Sequence, residues 1–220
     1  VIGIDDLWDA DRFARFPNLR VVSRAGIGYD NVDCGAASAA GVVVCNGPDS
    51  PTVSTAEHTV ALMLALTKEL PSKTKRALEG LAGPGTATSL ELDGATLGLV
   101  GMGRIARRVA VVGQALGMQV IACDPFLDVS PVLGVRLALL DEVIAQAHVL
   151  SLHAPSTAET RHMMNDASLA AMRPGSFLIN CARGPLIDHD ALLRALDAGH
   201  LAGAGLDVTD PEPLPVGHPL

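Results

Sequence analysis

Residues 95–124 read ATLGLVGMGRIARRVAVVGQALGMQVIACD, and no other stretch restricts the possible folds so sharply. An apolar run ends directly in Gly101-x-Gly103-x-x-Ala106. A helical pattern follows to about Leu116, and a second apolar run ends in Asp124. Buried runs alternating with helices imply a parallel sheet covered on both faces. The spacing has a steric logic. Gly101 permits a tight turn, Gly103 leaves room for a ligand to approach the backbone, and the small Ala106 lets the helix pack close on its strand. Alone, the glycines also fit a strand that ends for steric reasons only. The context adds the weight, because Asp124 closes the second run roughly 20 residues after Gly103, the interval of a dinucleotide-binding unit.

A carboxylate at that point accepts hydrogen bonds from the adenosine ribose hydroxyls and repels a 2′-phosphate, which favours NAD over NADP. Downstream the alternation continues through a short VRL strand, the helix LDEVIAQA and the strand HVLSL. Then come the helix DASLAAM, stopped at Pro174 and Gly175, the strand SFLIN, a helix from Asp188 to Gly199, and the strand AGLDV. The pattern predicts an α/β fold built on a doubly wound parallel sheet of the Rossmann type. Upstream, VIGI, a stretch to Phe16 and LRVVS read as strand, helix and strand. VDCGAASAAG reads as a short helix closed by Gly41, and VVVCN as a further strand. Ser54 and Glu57 match a capping box before an apolar helix that runs to about Leu70, where Pro71 breaks it. Ser72 to Asp93 yields no clear element.

The remaining composition narrows the partners. With 49% hydrophobic and 18% charged residues in 220, the chain can bury a large core. Its net charge is −8 and no stretch gathers Lys and Arg into a patch, which argues against nucleic acid. Cys34, Cys45, Cys123 and Cys181 are far apart with no C-x-x-C pair, so neither a zinc site nor a disulfide framework is indicated. Cys45, Cys123 and Cys181 fall at strand ends and are expected as small buried thiols in a reducing cytoplasm. The apolar run VALMLAL is far short of the ~20 residues that span a bilayer, so no membrane partner is expected.

The segment FLINCARGPLID sets Arg183 at the tip of a strand that reads as buried. RAGIGYDNVD, STAEHT, GMGRIARRVA, DPF, LHAP, NCARGPLID and LDVTDPEPLP follow one another in this order. The ordered set resembles the D-isomer-specific 2-hydroxyacid dehydrogenases, above all their phosphoglycerate dehydrogenase branch, over nearly the whole chain. The resemblance implies hydride transfer between NAD and a small 2-oxo or D-2-hydroxy acid, of the 3-phosphoglycerate or glyoxylate/hydroxypyruvate type. It implies part of a second, flavodoxin-like substrate domain over residues 1–50. The NAD-binding domain would then occupy residues 51–220, with an interdomain helix at its start. A cytoplasmic homodimer that pairs through the cofactor domain is implied too, although Ser72 to Asp93, where a dimer arm would lie, departs from the family's wording.

Site residues carry over one by one. Arg183 matches the Arg that clamps the carboxylate and carbonyl of the acid, as a planar fork can and Lys cannot. A surface Arg at a strand end is the plainer alternative. Glu212 matches the acid that orients a catalytic His and raises its pKa; it reads otherwise as a solvated loop carboxylate. Ala25, Gly26, Ile27 and Gly28 would offer N–H groups to the substrate carboxylate, or form only a tight turn. Gly101, Gly103, Arg104, Ile105 and Asp124 fall to the cofactor, with His153, Ala154 and Pro155 from LHAP. Cys181 and Ala182 join them, as does Asp207, which matches the contact to the nicotinamide carboxamide and could also be a plain turn former.

The family's catalytic His belongs to a T-P-H-like segment that residues 1–220 do not contain. His58, His148, His153, His162, His189, His200 and His218 do not match it. Starting at Val1 and stopping at GHPL, the chain reads as a fragment, expected to bind NADH weakly and turn over nothing by itself. An NAD(H)-sensing, corepressor-like binding protein on the same fold is the alternative reading.

Overall fold

The computed structural model describes residues 1–3, 6–81 and 89–220. They divide into two compact units, Val1–Ser54 and Thr55–Leu220.

The first unit contains helix α1 (Ala10–Ala14), strand β1 (Val21–Arg24), helix α2 (Cys34–Ala39) and strand β2 (Val43–Asn46). Asp9 and Asp33 cap the two helices, their carboxylates accepting from the N–H groups of Arg12 and Ala36. β1 and β2 pair in parallel, Val21 against Val43, over a core of Ile2, Trp8, Phe13, Val22, Val32, Ala37 and Val42. The strand expected from VIGI appears as a single bridge from Ile2 to Arg24, and its Ile4 lies outside the described residues. Cys45 is exposed, contrary to the expected buried thiol. Only Val44 of β2 turns inward, and the alternation of a strand sends the next side chain out.

Helix α3 (Thr52–Thr67) begins two residues before Ser54, so the expected capping box does not form. The Ser54 hydroxyl instead donates to the Pro51 carbonyl at 3.2 Å. Pro51 has its φ already set for a first turn, and the chain turns helical as soon as it passes that residue. α3 stops at Thr67, Glu69 takes a left-handed conformation, and helix α4 (Leu70–Leu78) starts with Pro71 in its first turn. α4 lies largely within the stretch that gave no sequence signal, and every residue from Pro71 to Leu78 is exposed. The part of the expected dimer arm at 82–88 lies outside the described residues.

The rest of the second unit runs β3 (Thr96–Val100), α5 (Arg104–Ala115), β4 (Gln119–Cys123), β5 (Arg136–Leu137), α6 (Leu140–Gln146) and β6 (Val149–Leu152). It ends with α7 (Asp166–Ala171), β7 (Ser176–Asn180), a 3-10 turn at Gly184–Leu186, α8 (His189–Asp197) and β8 (Leu201–Leu206). The six strands are parallel in the order β5-β4-β3-β6-β7-β8. Leu97 and Leu99 face one side of the sheet, with Ala56 and Met63 of α3 and Ala106, Val109 and Ala110 of α5. Val100, Leu150, Leu152 and Leu178 face the other, with α6, α7 and α8. Period-2 alternation in the strands thus gives each face its own core. The order reverses between β3 and β6, the point where open α/β sheets leave a crevice for ligands. Among the described residues no helix is long and apolar enough to cross a membrane.

Candidate functional site

The glycine loop stands at this reversal point. Gly101 has φ +92°, and a Cβ on it would come within 2.8 Å of the His153 carbonyl oxygen. Its N–H donates to the Cys123 carbonyl at 2.8 Å, so the loop is fastened to β4 while it lies against the end of β6. Gly103 precedes α5 with no side-chain cap, and a Cβ there would meet nothing within 4 Å. Gly103 thus puts no side chain across the approach to the first turn of α5, which suits the pyrophosphate of a dinucleotide. Arg104 and Ile105 open the helix, Arg104 exposed and Ile105 packed partly into the core.

Asp124 is tied to this loop. Its two carboxylate oxygens accept from the Met102 N–H at 2.9 Å and the Phe126 N–H at 3.0 Å. A carboxylate has about four acceptor positions, so two remain open to further donors. His153 follows β6, its Nε2 3.0 Å from the Ser151 hydroxyl. Burial pulls its pKa down to about 4, which keeps the imidazole neutral. Ala154 is half-buried and Pro155 exposed just beyond it.

A second group gathers at the ends of β7 and β8. Cys181 is buried and hydrogen-bonded to Thr59 of α3; burial pushes its thiol pKa up, with the nearby Asp207 charge adding to the rise. The Asp207 carboxylate lies 3.2 Å from His58 Nε2, and its N–H donates to the Asn180 carbonyl at 3.0 Å. Arg183 leaves the strand end after Ala182, whose carbonyl accepts from its Nη1 at 2.6 Å. Glu212 is exposed, and one of its oxygens accepts from the Thr209 N–H at 3.4 Å.

In the first unit the Ala25–Gly28 loop is already partly used. The Ala25 N–H donates to the Ile2 carbonyl at 3.3 Å. Those of Gly26, Ile27 and Gly28 meet no acceptor among the described residues. Arg24, which precedes the loop, is buried at 7% exposure, donates through Nη1 to the Ala25 carbonyl, and keeps a buried Nε with no hydrogen-bond partner among the described residues.

Arg24, His58, Thr59 and Asn180 went unassigned in the sequence, although Arg24 opens RAGIGYD and His58 and Thr59 close STAEHT. Asn180 opens NCARGPLID, and the position of all four inside these three segments was the signal that could have found them.

The family model described as D-isomer specific 2-hydroxyacid dehydrogenase, NAD binding domain, matches residues 60–220. The chain belongs to this family. Residues 60–220 are its NAD-binding domain. Among curated relatives, D-3-phosphoglycerate dehydrogenase of Bacillus subtilis is 41% identical over 216 residues, which cover 96% of this chain and 41% of that protein. The chain thus spans about two fifths of the length of this relative. Among solved structures, the TT0316 protein of Thermus thermophilus is 42% identical with a TM-score of 0.90, covering 99% of this chain and 70% of that one. D-lactate dehydrogenase of Aquifex aeolicus, complexed with NAD and lactic acid, is 34% identical with a TM-score of 0.90, covering 94% of this chain and 63% of that one.

Proposed function

We propose that the protein interconverts a 2-oxo acid and its D-2-hydroxy acid by hydride transfer with NAD. The observation that carries this reading is Arg183, set by Asn180 at the end of β7 on the sheet whose reversal point carries the glycine loop. Its guanidinium binds the carboxylate and neighbouring carbonyl of the acid through parallel hydrogen bonds. NAD, when bound, supplies the hydride chemistry. Gly103 and the start of α5 hold its pyrophosphate, Asp124 its ribose, and Asp207, steadied by His58, its carboxamide. Glu212 orients the histidine that the family carries in its T-P-H-like segment and raises that residue's pKa, so that a proton is ready for the carbonyl oxygen.

D-3-phosphoglycerate is the first substrate to try, given the name of the Bacillus subtilis relative. The buried Arg24 cation and the N–H groups of Gly26 to Gly28 suit an acid of high negative charge. A substrate-binding role for residues 1–50, the homodimer and the cytoplasmic location belong to the same proposal.

The test is the loss of NADH absorbance when the full-length protein meets a panel of 2-oxo acids, with Arg183→Ala as control. Turnover that this substitution abolishes is the expected result. NADH binding with no turnover of any acid would overturn the reading in favour of an NAD(H)-sensing scaffold.

A further inference from the structure

His189 is the first residue of α8 and is 8% exposed. Its Nδ1 lies 2.9 Å from the carbonyl oxygen of Asp210. A carbonyl oxygen only accepts, so Nδ1 carries the proton, and in the neutral ring Nε2 is left as a bare acceptor. Nε2 is itself buried and has no hydrogen-bond partner among the described residues. A buried acceptor left unmade is costly, and an apolar side chain would avoid that cost. The imidazole at this position thus carries a local penalty at Nε2, and the Nδ1 bond is what it makes in return.

That bond fastens the loop that carries Glu212. The loop closes on itself, with the Thr209 hydroxyl donating to the Pro211 carbonyl at 2.8 Å and the Thr209 N–H donating to Glu212 at 3.4 Å. Among the described residues three contacts tie it to neighbouring elements. Gly184, directly after Arg183, lies so close to the Thr209 carbonyl that a Cβ would stand 2.0 Å from the oxygen. Arg161 Nη2 is 3.4 Å from the Asp210 carboxylate in an exposed pair, and such pairs hold weakly in water and salt. The His189 bond is the third, and of the three it alone is both sheltered and directional.

We propose that His189 is a positioning residue: through Nδ1 it fixes the Asp210 carbonyl and so sets the Glu212 carboxylate, two residues on, relative to Arg183. The effect on turnover rests on the dehydrogenase reading; the effect on the loop does not.

The test compares His189→Asn, His189→Gln and His189→Leu in the full-length protein. Asn places an amide N–H near the position of Nδ1, Gln places one near Nε2, and Leu offers neither. Three readouts are taken: the ring nitrogen signals of His189 in the parent, hydrogen exchange of the Thr209 amide, and kcat and KM for 2-oxo acid reduction beside the Kd for NADH. The parent is expected to carry its proton on Nδ1. Gln and Leu are expected to speed Thr209 exchange on the order of fivefold, the net worth of one hydrogen bond. They are expected to lower kcat about tenfold or more, as small misplacements of a reacting group do, with the Kd for NADH unmoved. Asn restores both. A proton on Nε2, or Asn behaving no better than Gln, overturns the proposal, and the Asn–Gln pair still decides it if the Leu protein does not fold. Should the parent bind NADH and reduce no acid, the dehydrogenase reading falls, and the tautomer and exchange results alone still decide the role of His189.

Discussion

The side-chain amide of Asn180 holds the turn that presents Arg183. Its Oδ1 accepts from the Ala182 N–H at 3.0 Å and its Nδ2 donates to the Arg183 carbonyl at 2.8 Å. Asn180 is fully buried, so both backbone groups lose a partner that water cannot easily replace when the amide is removed. Asn180→Ala should cost roughly 1–3 kcal/mol for each group left unpaired, read as a lower denaturant midpoint. It should also raise KM for the 2-oxo acid about tenfold or more through a misplaced guanidinium. Asn180→Asp sets a second oxygen against the Arg183 carbonyl in a fully buried site, and should cost at least as much as Ala.

The two loop glycines should fail in different ways. Gly101→Ala meets both a positive φ and the His153 carbonyl at 2.8 Å, so the fold itself is strained. A loss of about 1–3 kcal/mol is expected, the cost of a residue held in a sparsely populated region. Gly103→Ala has an ordinary φ of −73° and open space around its Cβ. Its melting temperature should match the parent while its affinity for NADH falls, because the new methyl group occupies the approach of the pyrophosphate. Thermal unfolding beside NADH fluorescence titration separates the two; equal melting of both variants would contradict the steric assignment.

Asp124 both steadies the loop and faces the ribose in this reading. Asp124→Asn retains one acceptor oxygen for Met102 or Phe126 and removes the charge. The ratio of NADPH to NADH affinity should rise on the order of tenfold, because the repulsion of a 2′-phosphate is lost. Titrations with both cofactors check this, and an unchanged ratio would separate Asp124 from cofactor choice.

These residues were legible because their chemistry is local in sequence. Gly101, Gly103 and Asp124 are recognisable from residue type and interval, and the strands from continuous apolar runs such as SFLIN, which is buried at every position. α4 was not, since it is short, carries Pro71 in its first turn, and leaves its few apolar residues, Leu70 and Leu78 among them, exposed. Ser54 looked like a cap because the S-x-x-E pattern cannot register that the turn before it is already helical. The His189 bond to Asp210 joins residues 21 positions apart on different elements, and nothing in either local pattern announces it. Cys45 was misplaced for a related reason: a strand pattern fixes which residues alternate, but not that only one of four is covered.

His153 gives the fold an acid limit. Burial lowers its pKa from 6.5 to about 4, so the folded state resists a proton that the unfolded chain takes up readily. Between these two values the unfolded state binds more protons, and stability rises with pH. The contribution is fully present above pH 6.5 and is lost as the pH falls through that window toward 4. The slope is at most about 1.4 kcal/mol per pH unit for one proton. His153→Gln keeps a polar group for Ser151 and cannot take up the proton. Denaturant unfolding at pH 7, 6 and 5 should therefore show a smaller loss for the variant than for the parent. Parallel losses in the two proteins would mean that His153 takes up its proton in the folded state without cost, and that its imidazole does not set the acid limit.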